Sequence, residues 1–383
     1  MSPDMTADLA LKLHSRIAEI GESAWNALRT DDNPFISYAF LEALEATGCV
    51  GDGTGWQPVH LSLSDASGPR GVMPLYVKTH SMGEYVFDQG WARAYEQAGG
   101  DYYPKLLSAV PFTPVAGPRL MSPDPETRAA LIRAAVGVCE ANKLSSLHVN
   151  FPTQAEWQAM GETGLLQRQD QQFWFDNPGY AGFDDFLADL SSNRRKVIRR
   201  ERRAVQSTVD LRWITGDDLT PAHMDRLYAF ISDTYERKWG TGRPYLTRAF
   251  FHRLLETMRT HIALVFAYAD GEAVAGAINF IGGDVLYGRQ WGALIDMPFL
   301  HFEVCYYQAI DFAIARGLRR VEAGTQGEHK LSRGYRPQPV YSAHYIRDPR
   351  LRAPVRRFLE AEREAVAGQM AMLSEAASPF RKG

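Results

Sequence analysis

Gly283-Asp284-Val285-Leu286-Tyr287, followed by Trp291, answers Gly83-Glu84-Tyr85-Val86-Phe87, followed by Trp91, at a constant offset of 200 residues. In both copies a turn glycine and an acid lead into an apolar run that closes on a tryptophan, the pattern of a strand entered through a tight turn. Tyr102-Tyr103 and Tyr306-Tyr307 stand at nearly the same offset. Self-similarity at one spacing is the mark of a duplicated unit.

The segments around the two copies follow a similar order. Before and after the first, the spacing predicts a helix over 31–48, capped by Asp32 or Asn33 with Pro34 in its first turn. Strands follow over 56–63, 71–78 and 84–91, then a helix over 125–141 and a strand over 147–151. Around the second, helices are predicted over 221–235 and 247–260, then strands over 262–269 and 273–281 joined by Asp270-Gly271. A third strand follows the Gly282-Gly283-Asp284 turn, then a helix over 299–316, a strand over 319–323, a polar loop and a strand over 339–346. The whole reads as an α/β protein made by tandem duplication, with mixed sheets and helices on both faces. Turn chemistry at Asn177-Pro178-Gly179 supports a boundary nearby, dividing the chain into domains 1–170 and 171–350 and a helical tail 351–383.

The 383 residues, 45% hydrophobic and 23% charged, are those of an ordinary globular protein of about two domains. Lysine and arginine total 42 against 45 acids, so there is no global attraction to DNA or anionic lipid, and any anion site must be a local patch. Cys49, Cys139 and Cys305 lie far apart and form no disulfide framework or zinc motif, which fits a reducing compartment. The N-terminal residues carry Asp4 and Asp8 and do not read as a secretory signal, and the longest apolar run, 262–269, is far short of the ~20 residues of a membrane helix. A cytoplasmic protein is expected, at most peripheral to the inner face of the membrane.

Three polar clusters stand out. Residues 194–203 hold seven basic residues and one acid, Glu201, on a helix that Ser191-Ser192-Asn193 can cap. Arg194, Arg195, Lys196 and Arg199 read either as a solvated face or as a grip on phosphates, since guanidinium forks bind oxyanions bidentately. The second cluster is Leu300-His301-Phe302-Glu303-Val304-Cys305-Tyr306-Tyr307, opening a helix directly after a strand; His301 and Cys305, four apart, share a helix face. The third is the loop Gly324-Thr325-Gln326-Gly327-Glu328-His329-Lys330-Leu331-Ser332-Arg333-Gly334-Tyr335-Arg336, where several titratable groups gather at a strand end. His301, Glu328 and His329 lack a recognised metal-ligand spacing, so no metal and no permanently bound cofactor is expected. The chain also lacks a G-x-x-x-x-G-K-[ST], a G-x-G-x-x-G after its first strand and a G-x-S-x-G, which disfavours nucleotide hydrolysis, a Rossmann cofactor and an α/β-hydrolase.

Asn33-Pro34-Phe35, Leu75-Tyr76-Val77-Lys78, Ser192-Asn193-Arg194-Arg195-Lys196, Tyr287-Gly288-Arg289-Gln290-Trp291-Gly292, residues 300–307 and Gln326-Gly327-Glu328-His329-Lys330 together resemble the FemAB-like predicted N-acyltransferases of the GNAT superfamily. The resemblance spans residues 15 to 365 and implies two GNAT-like units in tandem. It also implies transfer of an acyl group to an amine, with acyl-CoA as co-substrate. Members look like the bacterial ceramide synthases, which acylate a long-chain sphingoid base; more distant Fem relatives take aminoacyl groups from tRNA to build cell-wall peptides. The sequence departs from ordinary GNAT enzymes at the glycine-rich coenzyme A turn, which Arg289-Gln290-Trp291-Gly292-Ala293 only approximates.

On the first hypothesis, an acyl-CoA-dependent N-acyltransferase, a base must take the ammonium proton; His301 ranks first, His329 second and Glu328 third, because imidazole is largely deprotonated near neutral pH. Arg289, Trp291, Glu303, Tyr307, Lys330 and Arg333 are then candidate substrate contacts, with the arginine-rich run on the phosphates. The second is a Fem-type aminoacyl-tRNA-dependent transferase acting on a cell-wall peptide, the third a non-catalytic binding module.

Overall fold

The computed structural model describes residues 9–241, 243–324, 327–376 and 379–380. The chain divides into two compact units, one from the described residues of Met1–Asp170 with Pro339–Ala367, the other from Gln171–Gln338 with the described residues of Gly368–Gly383. Residues 339–350, assigned from sequence to the C-terminal domain, therefore complete the first unit, and the expected tail 351–383 is no separate body. The reason is pairing, since Ser342 to Ile346 bond antiparallel to residues 146–150.

The first unit opens with β1 (Ala10–His14), α1 (Glu22–Ala27), α2 (Tyr38–Ala46), β2 (Trp56–Pro58), β3 (His60–Asp65), β4 (Gly68–Met73) and β5 (Tyr76–Lys78). It continues with α3 (Gln89–Gln97), β6 (Lys105–Ser108), α4 (Pro125–Ala141), β7 (Ser146–Asn150) and α5 (Gln154–Glu162). The second is built from the end of β8 (Leu166–Asp176), α6 (Phe183–Asp189), α7 (Ser192–Gln206), β9 (Asp210–Thr215), α8 (Pro221–Trp239), α9 (Arg248–Met258), β10 (Ile262–Ala269), β11 (Glu272–Gly282) and β12 (Val285–Ala293). A continuous helix follows, α10 (Leu300–Phe302), a π turn over Glu303–Tyr307 and α11 (Gln308–Ala315), then β13 (Arg320–Glu322); β14 (Arg336–Ile346) and α12 (Pro349–Ala376) come next in the chain and lie mostly in the first unit. Among the described residues no helix is long and apolar enough to cross a membrane.

The two predicted strands over 56–63 and 71–78 are four. They break at Val59 and at Pro74-Leu75, so that β3 and β4 join β1 while β2 and β5 join β6. A proline supplies no amide to a ladder, and Pro58 and Pro74 sit at these breaks. Across β5, β6, β7 and β14, alternate residues segregate by polarity. Leu106, Leu147, Val149 and Ala343 join Leu131, Ile132 and Ala135 of α4 in an apolar core. Lys78, Lys105, Ser146, His148, Ser342 and His344 line the other face and are buried there by the segment 79–104.

That segment overturns the strand expected over 84–91. Glu84 and Asp88 fold inward as the carboxylates on Lys105, at 2.8 Å from Glu84, and Trp91 lies on α3 with its ring on His344. Tyr85, at φ 57°, interrupts any extended run. The register at an offset of 200 is thus not a structural equivalence. What repeats is topology. In each unit an early strand pairs antiparallel with the first strand of a hairpin (β1 with β3-β4; β9 with β10-β11), and a later parallel pair is joined through a helix (β6-α4-β7; β12-α11-β13). The counterpart of β12 is β6, not residues 84–91.

In the second unit both faces of β12 carry helices. A Cβ on Gly292 would sit 2.1 Å from the Phe230 carbonyl oxygen, so α8 packs backbone to backbone there; Trp291, one residue before and facing the other way, meets His301.

Candidate active site

β12 pairs with β13 only over Val285↔Arg320, Leu286↔Val321 and Tyr287↔Glu322. Just beyond, its register with β11 slips from Asn279↔Gly288 to Ile278↔Gln290, which leaves Arg289 as the extra residue of a β-bulge. The parallel pair ends where the strand is kinked, and a cavity of about 80 Å³ occurs there, lined by Asn279, Arg289, Gln290, Trp291, His301, Cys305 and Tyr306 among others. Gly288 leaves room at this point, since a Cβ would lie 3.3 Å from Asn279 Oδ1.

His301 enters from α10, behind Phe299 at φ 68°. Its ring lies 4.7 Å from Trp291, 5.2 Å from Tyr306 and 6.2 Å from His329, centroid to centroid. Burial, reinforced by neighbouring His329, Lys238, Lys330 and Arg333, lowers its pKa to about 3, so the imidazole is neutral at physiological pH. The sequence pairing of His301 with Cys305 holds, since both line the cavity. Tyr306 joins them because one π turn brings the fifth residue onto the face that an α-helix gives to the fourth. Burial raises the Cys305 and Tyr306 pKa values well above their usual ranges, so both keep their protons.

His329, from the 3₁₀ turn after β13, approaches the same ring cluster, its Nε2 3.0 Å from the Tyr306 hydroxyl. Its pKa is lowered by partial burial and by Arg333 and Lys330. The Glu328 side chain, with Thr325 and Gln326 of the same loop, lies outside the described residues. Lys330 is buried, its Nζ donating to the Ala323 carbonyl at 2.7 Å and the Gly324 carbonyl at 3.0 Å, and desolvation lowers its pKa to about 7. Arg289 lies 3.8 Å from Glu322, a buried carboxyl whose pKa desolvation raises to about 7 against the pull of that guanidinium. Sequence reasoning missed Glu322 and Tyr306. The first had a signal, an acid inside a three-residue strand; the second had none at helical spacing.

Three expected contacts point elsewhere. Glu303 is fully buried and accepts hydrogen bonds from Gln206 and Gln308, each at 2.9 Å, with Arg202 at 3.3 Å. Tyr307 donates to Glu201, and Arg333 Nη2 donates to both oxygens of Glu201 at 2.9 Å. The single acid of the basic run is therefore the buried anchor of α7, with Ile198 and Val205 on the same side. Arg194 and Arg195 are half-buried; Lys196 and Arg199 are exposed, and Arg199 is 3.1 Å from Asp184. None of these four lines the cavity at the bulge. Among the described residues no group of three or more histidine, cysteine or acidic side chains could hold a metal ion.

Similar folds occur among solved structures. The crystal structure of FemX matches with 10% identity over 88% of this chain and 98% of the other, at a TM-score of 0.54. The C-terminal domain of a putative lysylphosphatidylglycerol synthetase from Agrobacterium fabrum matches with 11% identity over 96% and 99%, at 0.56. A conserved protein of unknown function from Bacteroides thetaiotaomicron matches with 10% identity over 88% and 100%, at 0.53. At such identities the likeness concerns the fold. No curated protein matches the chain. A family model does, over residues 16–382: this chain belongs to the FemAB-like family, described as peptidoglycan biosynthesis/recognition.

Proposed function

We propose that the chain is an N-acyltransferase, moving an acyl group from an activated donor to an amine at the bulge of β12. Membership of the FemAB-like family supports a transferase acting on an amine or peptide. The observation that carries the reading is the convergence of Arg289, His301 and Tyr306 on one small cavity at the end of a parallel strand pair, with His329 against the Tyr306 hydroxyl. Amide formation needs a donor to the carbonyl oxygen, a positioned amine and a proton acceptor. Arg289 is the cation at hand to polarise the carbonyl. With a pKa near 3, His301 is too weak a base to take an ammonium proton and instead orients the reacting groups as a neutral ring. His329 takes the proton, directly or through the Tyr306 hydroxyl beside its Nε2. The amine nitrogen bonds the carbonyl carbon, the donor's leaving group departs with its electron pair, and the proton ends on His329.

Acyl-CoA is the donor in this reading, and the acceptor class drawn from the resemblance includes long-chain bases. Incubation of the purified protein with acyl-CoAs and a panel of polar and long-chain amines, followed by mass spectrometry, tests it; no amide from any pair would overturn it. An aminoacyl-tRNA donor is favoured by one separate observation. Lys196, Arg200 and Arg203 form an exposed stripe on α7 at helical spacing, without an ion pair among the described residues. Transfer from charged tRNA but not from acyl-CoA, lost on raising salt, would decide for it.

A further inference from the structure

Sharing Trp291 and His301 with the cavity at the bulge, an open groove of about 320 Å³ runs between the C-terminal end of α8 and residues 293–302. Ile295, Met297, Phe299 and Phe302 line it, each only partly buried. One charged side chain comes from each wall, Lys238 from α8 and Asp296 from the loop before α10. Both are exposed, and neither side chain has an ion pair or hydrogen bond among the described residues. Arg237 also reaches the groove but is committed, 2.7 Å from Asp233 and donating to the Ala293 carbonyl.

An apolar body with a single charge would meet one attraction and one repulsion at this rim. A ligand carrying both charges meets two attractions while its apolar part is removed from water. The groove abuts His301, so a bound amine there lies next to the reacting centre. We propose that it is the acceptor subsite and takes a zwitterionic amine, an amino acid or peptide end with an apolar side chain. Its ammonium faces Asp296, its carboxylate faces Lys238, and its side chain lies on Met297, Phe299 and Phe302. The inference rests on the N-acyltransferase reading, and it replaces an uncharged or singly charged acceptor by a doubly charged one.

Calorimetric titration of the full chain, without any donor, separates the contributions. The probes are L-phenylalanine, phenylalanyl-glycine, phenethylamine, which lacks the carboxylate, and 3-phenylpropionate, which lacks the amine. Phenylalanine or its dipeptide should bind several-fold tighter than either singly charged analogue, and the tighter of the two tells a free amino acid from a peptide end. Lys238→Glu should weaken phenylalanine and 3-phenylpropionate by about two- to tenfold and leave phenethylamine no weaker; Asp296→Lys should do the reverse. Both positions are exposed, so both variants should keep the parent's melting temperature. Equal affinity for all four probes, or zwitterion binding unchanged in both variants, would overturn the proposal. Tight zwitterion binding in a protein that forms no amide would leave the groove standing and sink the transferase reading, whereas amide formation with no zwitterion binding would do the opposite.

Discussion

His329 and His301 differ in what their surroundings allow. His301 is enclosed by Trp291, Phe302 and Tyr306 and feels four cationic or titratable neighbours, whereas His329 sits at the exposed end of the same ring cluster. The active form of a base is the deprotonated one, and the His329 pKa is lowered, so transfer should be flat through neutral pH and fall only as acidity passes below the ordinary histidine range. His329→Ala should lower kcat by about 10²–10⁴-fold and remove that acid limb. His301→Ala should cost less in kcat and leave the limb in place. A pH–rate profile for the two variants checks the assignment; an acid limb that survives in His329→Ala places the base elsewhere. The inner histidines of the first unit titrate too, but as stability groups. His148, lowered to about 3, and His344, held by burial well below the ordinary histidine value, are buried neutral with their Nδ1 atoms 2.7 Å apart. The unfolded chain protonates both below about pH 6.5, so their stabilisation is present above that value and is lost as pH falls. His344→Asn should flatten the acid limb of the urea-unfolding profile.

At the scale of elements, two joints hold the most. The segment 79–104 is fastened to the polar face of the first sheet by Lys105, whose ammonium meets Ser81 and Glu84, each at 2.8 Å, and Asp88, all buried. Lys105→Met would leave Asp88 buried without its ammonium partner and Glu84 with Lys78 alone, 3.8 Å away, a change that costs about 3–5 kcal/mol. Urea unfolding should show a loss of that order, with new proteolytic cuts between residues 79 and 104. A loss under about 1 kcal/mol would mean that the segment is held by its apolar contacts, Trp91 and Tyr102, instead. The second joint is α8 on β12. Gly292→Ala forces a methyl into the Phe230–Ile231 backbone at 2.1–2.7 Å, where no flexible side chain can yield. It should destabilise by about 1–3 kcal/mol by overpacking and disturb transfer as well, since the displaced strand carries Trp291.

For the whole molecule, sequence order and spatial order part company. The first unit is completed by Pro339–Ala367, which contributes His344 to the polar face and Ile346, Leu351, Val355 and Leu359 to the cluster around Trp91 and Tyr102. Arg168 also holds Glu362 through two bonds of 2.7 and 2.8 Å. A chain ending at Gln338 keeps every residue assigned to the active site but strips the first unit of those partners. Hydrogen exchange on such a truncation should show lost protection in β7 (Ser146–Asn150) and α3 (Gln89–Gln97). Retained protection would mean that residues 9–170 fold without the returning segment.

Local physics made much of this legible. The β10–β11 hairpin is written in two apolar runs around Asp270-Gly271, which take φ of 50° and 84°, and the meeting of His301 with the His329 loop follows from a helix start and a strand-end loop on adjacent parallel strands. The α/β class rests on the same short-range patterns, whereas the doubling of topology is carried by strand pairings that do not follow the offset of 200 residues. What the sequence could not decide depends on partners far along the chain. Residues 84–91 look like a strand until Lys105 draws Glu84 and Asp88 inward. Glu201 looks like one interruption in a solvated basic face until Arg333, 132 residues away, meets it in the core. Arg289 becomes the bulge, and Tyr306 a wall of the cavity, only through a register slip against β11 and one π turn. A buried charge must find its opposite wherever the fold has placed it, and that choice belongs to the tertiary structure because no spacing along the chain encodes the distance.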